Sequence, residues 1–251
     1  MKKILGGLRR CAQDFNMIQD GDKIAVGLSG GKDSALLLYA LKRYQQFSPQ
    51  EFQLSAITID MGYGVFNTSP LQHFCEELKV PYTIVKTQIG EIIFHARKEN
   101  HPCSLCAKMR RGALTNAVVE SGYNKLALGH HSNDAIETLL MSMFYEGRVS
   151  TFSPVTYFED KDIHIIRPFV YLQEREIAGA VRRNGIPVVK NPCPVNGNTK
   201  RQLIKDYLSA LQKDIPDIKD NLLGAIMNTA QTSLWDIKDI RQLGMEKKKH
   251  L

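Results

Sequence analysis

The run Ser29-Gly30-Gly31-Lys32-Asp33-Ser34 carries the densest chemistry in the chain. Two adjacent glycines let backbone N–H groups converge with no Cβ in the way, which makes an anion nest. A helix-forming stretch, Ala35 to Leu41, follows at once, and its unpaired N–H groups and positive dipole end favour a phosphate. Lys32 can bridge phosphate oxygens, while Ser29 and Ser34 can donate hydroxyls. The spacing excludes two commoner nucleotide loops. Val26 stands where the first glycine of Gly-x-x-x-x-Gly-Lys-Ser/Thr would fall, and Gly-x-Gly-x-x-Gly does not fit either. A nucleotide loop of the form Ser-Gly-Gly-x-Asp-Ser remains.

A second group of reactive residues is the cysteines: Cys11, Cys75, Cys103, Cys106 and Cys193. An odd count in a chain without a signal-peptide apolar core argues against a disulfide framework. Cys103-Ser104-Leu105-Cys106 precedes a helical run, and Cys193 sits far away between Pro192 and Pro194, in a rigid, non-helical turn. Spacing leaves three readings open. One is a redox dithiol, one a zinc site completed by a histidine such as His101, and one a [4Fe–4S] cluster on three thiolates with the remaining iron open. Cys11 and Cys75 fall within helical patterns and read as small buried hydrophobes.

A third group surrounds Gly129-His130-His131 and Asp134. Gly129 permits close approach by a nucleotide, and His130 can donate to a phosphate or move a proton. Two adjacent histidines in extended backbone cannot both face one crevice. Asp33 or Asp134 suits Mg²⁺ between phosphates. Asp60, after the second apolar run, would contact an adenosine or order its own loop. Arg110 and Arg111, one turn beyond Cys106, offer a bidentate fork to phosphate.

These groups are useful only if one framework brings them together. Strand patterns occupy 23–28, 53–60, 82–86, 125–129 and 164–167. Helical patterns occupy 32–44, 70–78, 105–121, 134–145, 173–183 and 199–212, with a basic amphipathic helix ahead of them in 1–20 and a polar helical region over 200–251 ending in Lys247-Lys248-Lys249. The alternation predicts an α/β fold: a doubly wound parallel sheet of about five strands, with helical additions at both ends. Ligands on such sheets sit at the carboxyl ends of the strands. The Ser29 loop, Asp60 and the Gly129 run all follow strand patterns, so they should open into one crevice.

Composition is that of a soluble enzyme, 43% hydrophobic and 24% charged. No apolar run approaches the roughly 18 residues of a membrane helix, so the expected location is cytoplasmic with no membrane partner. A net charge of +7 suits an anionic partner and points to nucleic acid.

The loop resembles that of the PP-loop, or N-type, ATP pyrophosphatases, and the whole pattern resembles their tRNA 2-thiocytidine synthetase (TtcA) branch. The matching pieces are Asp14-Phe15-Asn16-Met17-Ile18, Gly21-Asp22-Lys23-Ile24, Ser29 to Ser34, Cys103-Ser104-Leu105-Cys106 and Arg110-Arg111-Gly112. Leu128-Gly129-His130-His131, Asn133-Asp134, Glu137-Thr138, Met143-Phe144-Tyr145, Arg167-Pro168 and Pro192-Cys193 complete the set, over roughly 8–215. Two positions depart from it: Asn133 replaces a frequent acid, and Asn196 replaces a frequent fourth cysteine.

The resemblance implies an adenine-nucleotide hydrolase-like fold and a [4Fe–4S] cluster on Cys103, Cys106 and Cys193. It also implies ATP and Mg²⁺, with Lys32, Asp33, Arg110 and Asp134 in the chemistry. It divides the chain into a basic helix (1–20), an ATPase domain (21–190) and a segment carrying the third cysteine and C-terminal helices (191–251). The implied reaction adenylates the C2 oxygen of an anticodon-loop cytidine and replaces it with sulfur. The implied partners are tRNA and a sulfur donor, either a cysteine desulfurase or free sulfide; homodimers are common among relatives. The rival readings are another PP-loop enzyme (thiouridine-forming, lysidine-type or acting on a small molecule) and a cluster-bearing RNA-binding or redox protein without catalysis.

Overall fold

The computed structural model describes residues 1–64, 66–96, 102–189, 192 and 199–228. Expectations on His101, Cys193, Asn196 and the Lys247-Lys248-Lys249 tail lie outside them. Helix α1 (Lys2–Asp14) leads into β1 (Asp22–Gly27), α2 (Lys32–Tyr44), β2 (Phe52–Asp60), α3 (Ser69–Glu77) and β3 (Tyr82–Lys86). A single turn, α4 (Ile89–Glu91), runs into a π-helical turn (Ile92–Ala96), then α5 (Pro102–Glu120), β4 (Lys125–Ala127) and α6 (Ser132–Glu146) follow. A hairpin of β5 (Val155–Phe158) and β6 (Ile163–Ile166) precedes α7 (Glu174–Arg183), α8 (Lys200–Asp214) and α9 (Ile218–Met227).

The strands form one sheet in the order β3-β2-β1-β4-β6-β5. Five strands are parallel, as the alternation predicts. The sixth, β5, pairs antiparallel with β6 at the edge, Val155 opposite Ile166. Its four residues are too short for a periodic signal, and only the Glu159–Lys161 turn with left-handed Asp162 (φ 49°) marks the hairpin.

Alternation along β1 sends its side chains to opposite faces. Ile24 and Val26 join the core under α1, α2, α3 and α7, whereas Ala25 joins the core under α5. Helix α2 lies between the sheet and α1 and α7, which is why eight of its thirteen residues are buried. Cys11 and Cys75 are fully buried, as expected of them; burial pushes each thiol up to about 12. Helices α8 and α9 add a smaller cluster of Ile204 and Leu208 against Ile136 of α6.

Candidate active site

Strand order reverses between β1 and β4, and a cavity of about 540 Å³ opens at their carboxyl ends. Its walls bring together Ser29, Asp33 and Ser34 from the β1–α2 loop, Asp60 from the end of β2, and Gly129, His130 and Asp134 from the β4–α6 connection. Arg110 and Arg111 of α5 join them. The three polar clusters therefore do share one crevice. Gly30, Gly31 and Lys32 lie in the loop without lining the cavity.

The loop is held by its own serines. Ser34 Oγ accepts from the Ser29 N–H at 3.1 Å, donates to Gly31 O at 3.0 Å and lies 3.1 Å from Ser29 Oγ. Gly30 adopts φ +84°, a conformation that strains any L side chain, and a Cβ there would also meet Val189 at 3.3 Å. Val189 N–H donates to Gly30 O at 2.9 Å, clamping the turn from outside. The nest opens onto the first turn of α2, so the loop and the helix dipole act together.

Lys32 is paired with two carboxylates. Its Nζ lies 3.2 Å from Asp33 Oδ2 and 3.0 Å from Glu174 Oε1, and Glu174 Oε2 in turn lies 2.6 Å from Lys205. Burial would raise the Glu174 carboxyl, but Lys205 and Lys32 outweigh it and draw it down to about 2. Burial would likewise lower Lys32, but Asp33 and Glu174 hold its ammonium above the usual range. A phosphate entering the nest competes with Glu174 for this charge.

Gly129 does permit a close approach, but the approaching group is protein. An added Cβ would lie 2.8 Å from Asp33 C and 3.0 Å from Ser34 N, so the backbone of α2 occupies the space expected for a nucleotide. Gly129→Ala is expected to push the α2 turn away at a cost of about 1–3 kcal/mol. The accompanying loss of ATP affinity would be read by calorimetry beside the melting temperature.

The two histidines divide as the extended backbone requires. His130 lines the cavity with its ring 5.1 Å from that of Phe152, and its Nδ1 is buried without a partner. His131 is 4% exposed and lies behind, 3.7 Å from Asp33 Oδ1 and 3.4 Å from Asp134 Oδ2. Burial lowers His130 to about 4, with Asp134 opposing this and Arg167, Arg201 and His131 adding to it. The unfolded chain therefore takes up this proton near 6.5 while the folded chain does so only near 4. The stability His130 confers is complete above pH 6.5 and falls as pH drops toward 4, by about 3 kcal/mol in all. The melting-temperature advantage of wild type over His130→Gln should shrink across that window.

Asp60 Oδ1 accepts the Gly62 N–H at 3.0 Å, which orders its loop, and the residue also lines the cavity, where an adenosine contact stays open to it. Asn133 has a structural task. Its Oδ1 accepts the Glu174 N–H at 3.0 Å, tying α6 to the start of α7; a carboxylate would accept there equally, which accounts for the exchange. Asp33 Oδ1 is buried beside the nest with no hydrogen-bond partner among the described residues, an oxygen suited to Mg²⁺.

Residues without an assigned role in the sequence complete the wall. Arg167 is 8% exposed and has no acidic partner among the described residues. Its Nη1 donates to Ser153 O at 2.6 Å, its Nε is unpartnered, and its guanidinium lies 5.1 Å over the Phe152 ring. Burial, with Arg111 adding to it, lowers it to about 10, so it stays charged. Arg201, which reads in the sequence only as part of a basic pair, lines the cavity and lies 3.1 Å from Glu137. Four guanidiniums thus face a space sized for a nucleotide.

The thiols stand beside the cavity, outside its lining. Cys103 and Cys106 occupy the first turns of α5, one helical turn apart, with Cys103 exposed. Cys106 Sγ touches Tyr63 of the cavity wall, and the next residue, Ala107, lines the cavity. Pro192, which precedes Cys193 in the chain, lines it as well. Among the described residues no set of three Cys, His, Asp or Glu could hold a metal. Two soft sulfur donors one turn apart at a helix N-terminus, beside a basic cavity, are a donor set that fits an iron–sulfur cluster completed by a further cysteine.

Comparison with known proteins agrees with this geometry. The family model for the PP-loop domain matches residues 7–211. The tRNA-cytidine(32) 2-sulfurtransferases of Geobacter sulfurreducens and Geobacter metallireducens are each 38% identical, with 94% of this chain and 93% of theirs covered. Among solved structures, the U34-tRNA thiolase NcsA from Methanococcus maripaludis with its [4Fe-4S] cluster superposes with a TM-score of 0.73 at 26% identity, over 89% of this chain and 76% of that one. With the loop, the paired thiols and the arginine-lined cavity in place, the chain belongs to the PP-loop family and, within it, to the tRNA-cytidine 2-sulfurtransferases.

Proposed function

We propose that the protein is an ATP-dependent tRNA sulfurtransferase that converts cytidine 32 of the anticodon loop to 2-thiocytidine. The observation that carries this reading is the cavity lined both by Ser29, Asp33 and Ser34 of the nest and by Tyr63, whose hydroxyl lies 3.2 Å from Cys106 Sγ. An oxide leaving group makes direct exchange of oxygen for sulfur slow. Attack of the C2 oxygen on the α-phosphorus of ATP expels pyrophosphate and leaves an AMP ester. Sulfide then forms the C2–S bond as the C2–O bond breaks and AMP departs.

In this reading the nest and Lys32 hold the developing charge on pyrophosphate. Asp33, whose Oδ1 has no hydrogen-bond partner among the described residues, or Asp134 would hold Mg²⁺. His130 stays neutral and offers Nδ1 to the α-phosphate without adding charge. Arg110, Arg111 and Arg167 receive RNA phosphate and the adenylate. The target base must leave its stack to reach them, and the basic wall recognises backbone rather than sequence. A [4Fe–4S] cluster on Cys103, Cys106 and Cys193 would supply sulfide in deprotonated, positioned form. The sulfur itself comes from free sulfide or a cysteine desulfurase, in the cytoplasm.

The test is direct. Protein prepared without oxygen is given ATP, Mg²⁺, sulfide and total tRNA, and digested nucleosides are analysed by mass spectrometry. 2-Thiocytidine is expected; 2-thiouridine, lysidine or no product would overturn the reading. Pyrophosphate release that depends on tRNA separates an enzyme from a mere RNA binder.

A further inference from the structure

Tyr63 joins the cysteine wall to the cavity. Its hydroxyl lies 3.2 Å from Cys106 Sγ, across forty-three residues of sequence, and it lines the cavity where Cys106 itself does not. The position is built by its surroundings. A Cβ on Gly90 would fall 2.5 Å from Tyr63 Cδ1 and 2.7 Å from Cε1, so the ring fills the volume that any other residue at 90 would need. Gly90 N–H donates to Met61 O at 2.7 Å, which ties the α4 turn to the loop bearing Tyr63. The ring also meets Phe94 edge-on, with centroids 5.5 Å apart and planes at 67°. Phe94 belongs to the π-helical turn, a rare form found frequently at functional sites. Met61 Sδ lies on the same thiol at 3.7 Å.

We propose that Tyr63 is a positioning residue for the iron–sulfur cluster, its O–H donating to the Cys106 thiolate and thereby setting the cluster's reduction potential and its hold on iron. The inference rests on the cluster reading above. A thiolate ligand has no proton to give, so the phenol must be the donor in this pair. A hydrogen bond to a ligating sulfur withdraws charge from it. That stabilises the more negative reduced cluster over the oxidised one and raises the potential. The same bond fixes the thiolate's direction, which slows release of iron.

Tyr63→Phe keeps the ring and its edge contact with Phe94 and removes only the donor. Wild type and variant are reconstituted without oxygen, assayed for iron and sulfide, and titrated electrochemically with the reduced cluster followed by electron paramagnetic resonance. The variant is expected to show a more negative midpoint potential, faster iron loss to a chelator, and no exchangeable-deuteron coupling of the kind the wild type shows in heavy water. Gly90→Ala, which leaves the hydroxyl but crowds the ring, is expected to shift the potential in the same direction. A packing role alone would lower the melting temperature and leave the potential in place. Equal potentials and equal deuteron coupling at full iron content overturn the inference while the cluster reading stands. A wild type that takes up no iron overturns both.

Discussion

Lys32→Ala protein should carry a full complement of iron and form 2-thiocytidine about 100- to 1,000-fold more slowly than wild type, the usual cost of losing one preorganised charge at a developing anion. The reason lies in the separation of the two halves of the site. Lys32 opens α2 beside the nest, whereas the thiols belong to α5. Folding should hardly notice the change. The Lys32 side chain is about a third exposed, so its pairs with Asp33 and Glu174 contribute at most about 1 kcal/mol. Glu174 also retains Lys205. Iron content, tRNA-dependent pyrophosphate release and nucleoside analysis on one preparation check the result, and normal turnover would remove the loop from the mechanism.

The converse is expected of Cys106→Ala. Iron should fall to background and thiolation should stop, while ATP still binds the nest. Losing a ligand should exceed the roughly 10- to 100-fold loss of metal affinity that follows removal of a supporting hydrogen bond. Iron retained after challenge with a chelator should therefore rise in the order Cys106→Ala, Tyr63→Phe, wild type. Cys193→Ala should match Cys106→Ala, because the resemblance gives it the third thiolate. Retained iron in either alanine variant would contradict the ligand set. Thermal melting provides the control, since Cys106 is only half-buried at the margin of the core under α5 and its truncation should shift the midpoint modestly.

Much of the site was legible because its chemistry is local in sequence. The Ser29–Ser34 nest, the His130-His131 alternation and the Cys103–Cys106 turn each depend on neighbours within one turn or one strand end. The parallel sheet followed from strand–helix alternation, and its switch point told where those loops would meet. The antiparallel β5 escaped because four half-buried residues carry little periodic signal.

What the sequence alone determined is thus the phosphate loop, the thiols and the order of elements, since these rest on backbone freedom and hydrophobic period. Tertiary structure alone decided which distant groups complete the cavity. Arg167 appears as one basic residue among thirty-three until burial beside Phe152 leaves it without an acid among the described residues. Glu174 is an ordinary helix-start acid until folding sets it between Lys32 and Lys205. Gly129 looks open to a ligand until α2 fills the gap, and Tyr63 becomes a partner of Cys106 only when Gly90 makes room for its ring. Each of these depends on contact between segments tens of residues apart, and a contact of that kind leaves no spacing to read.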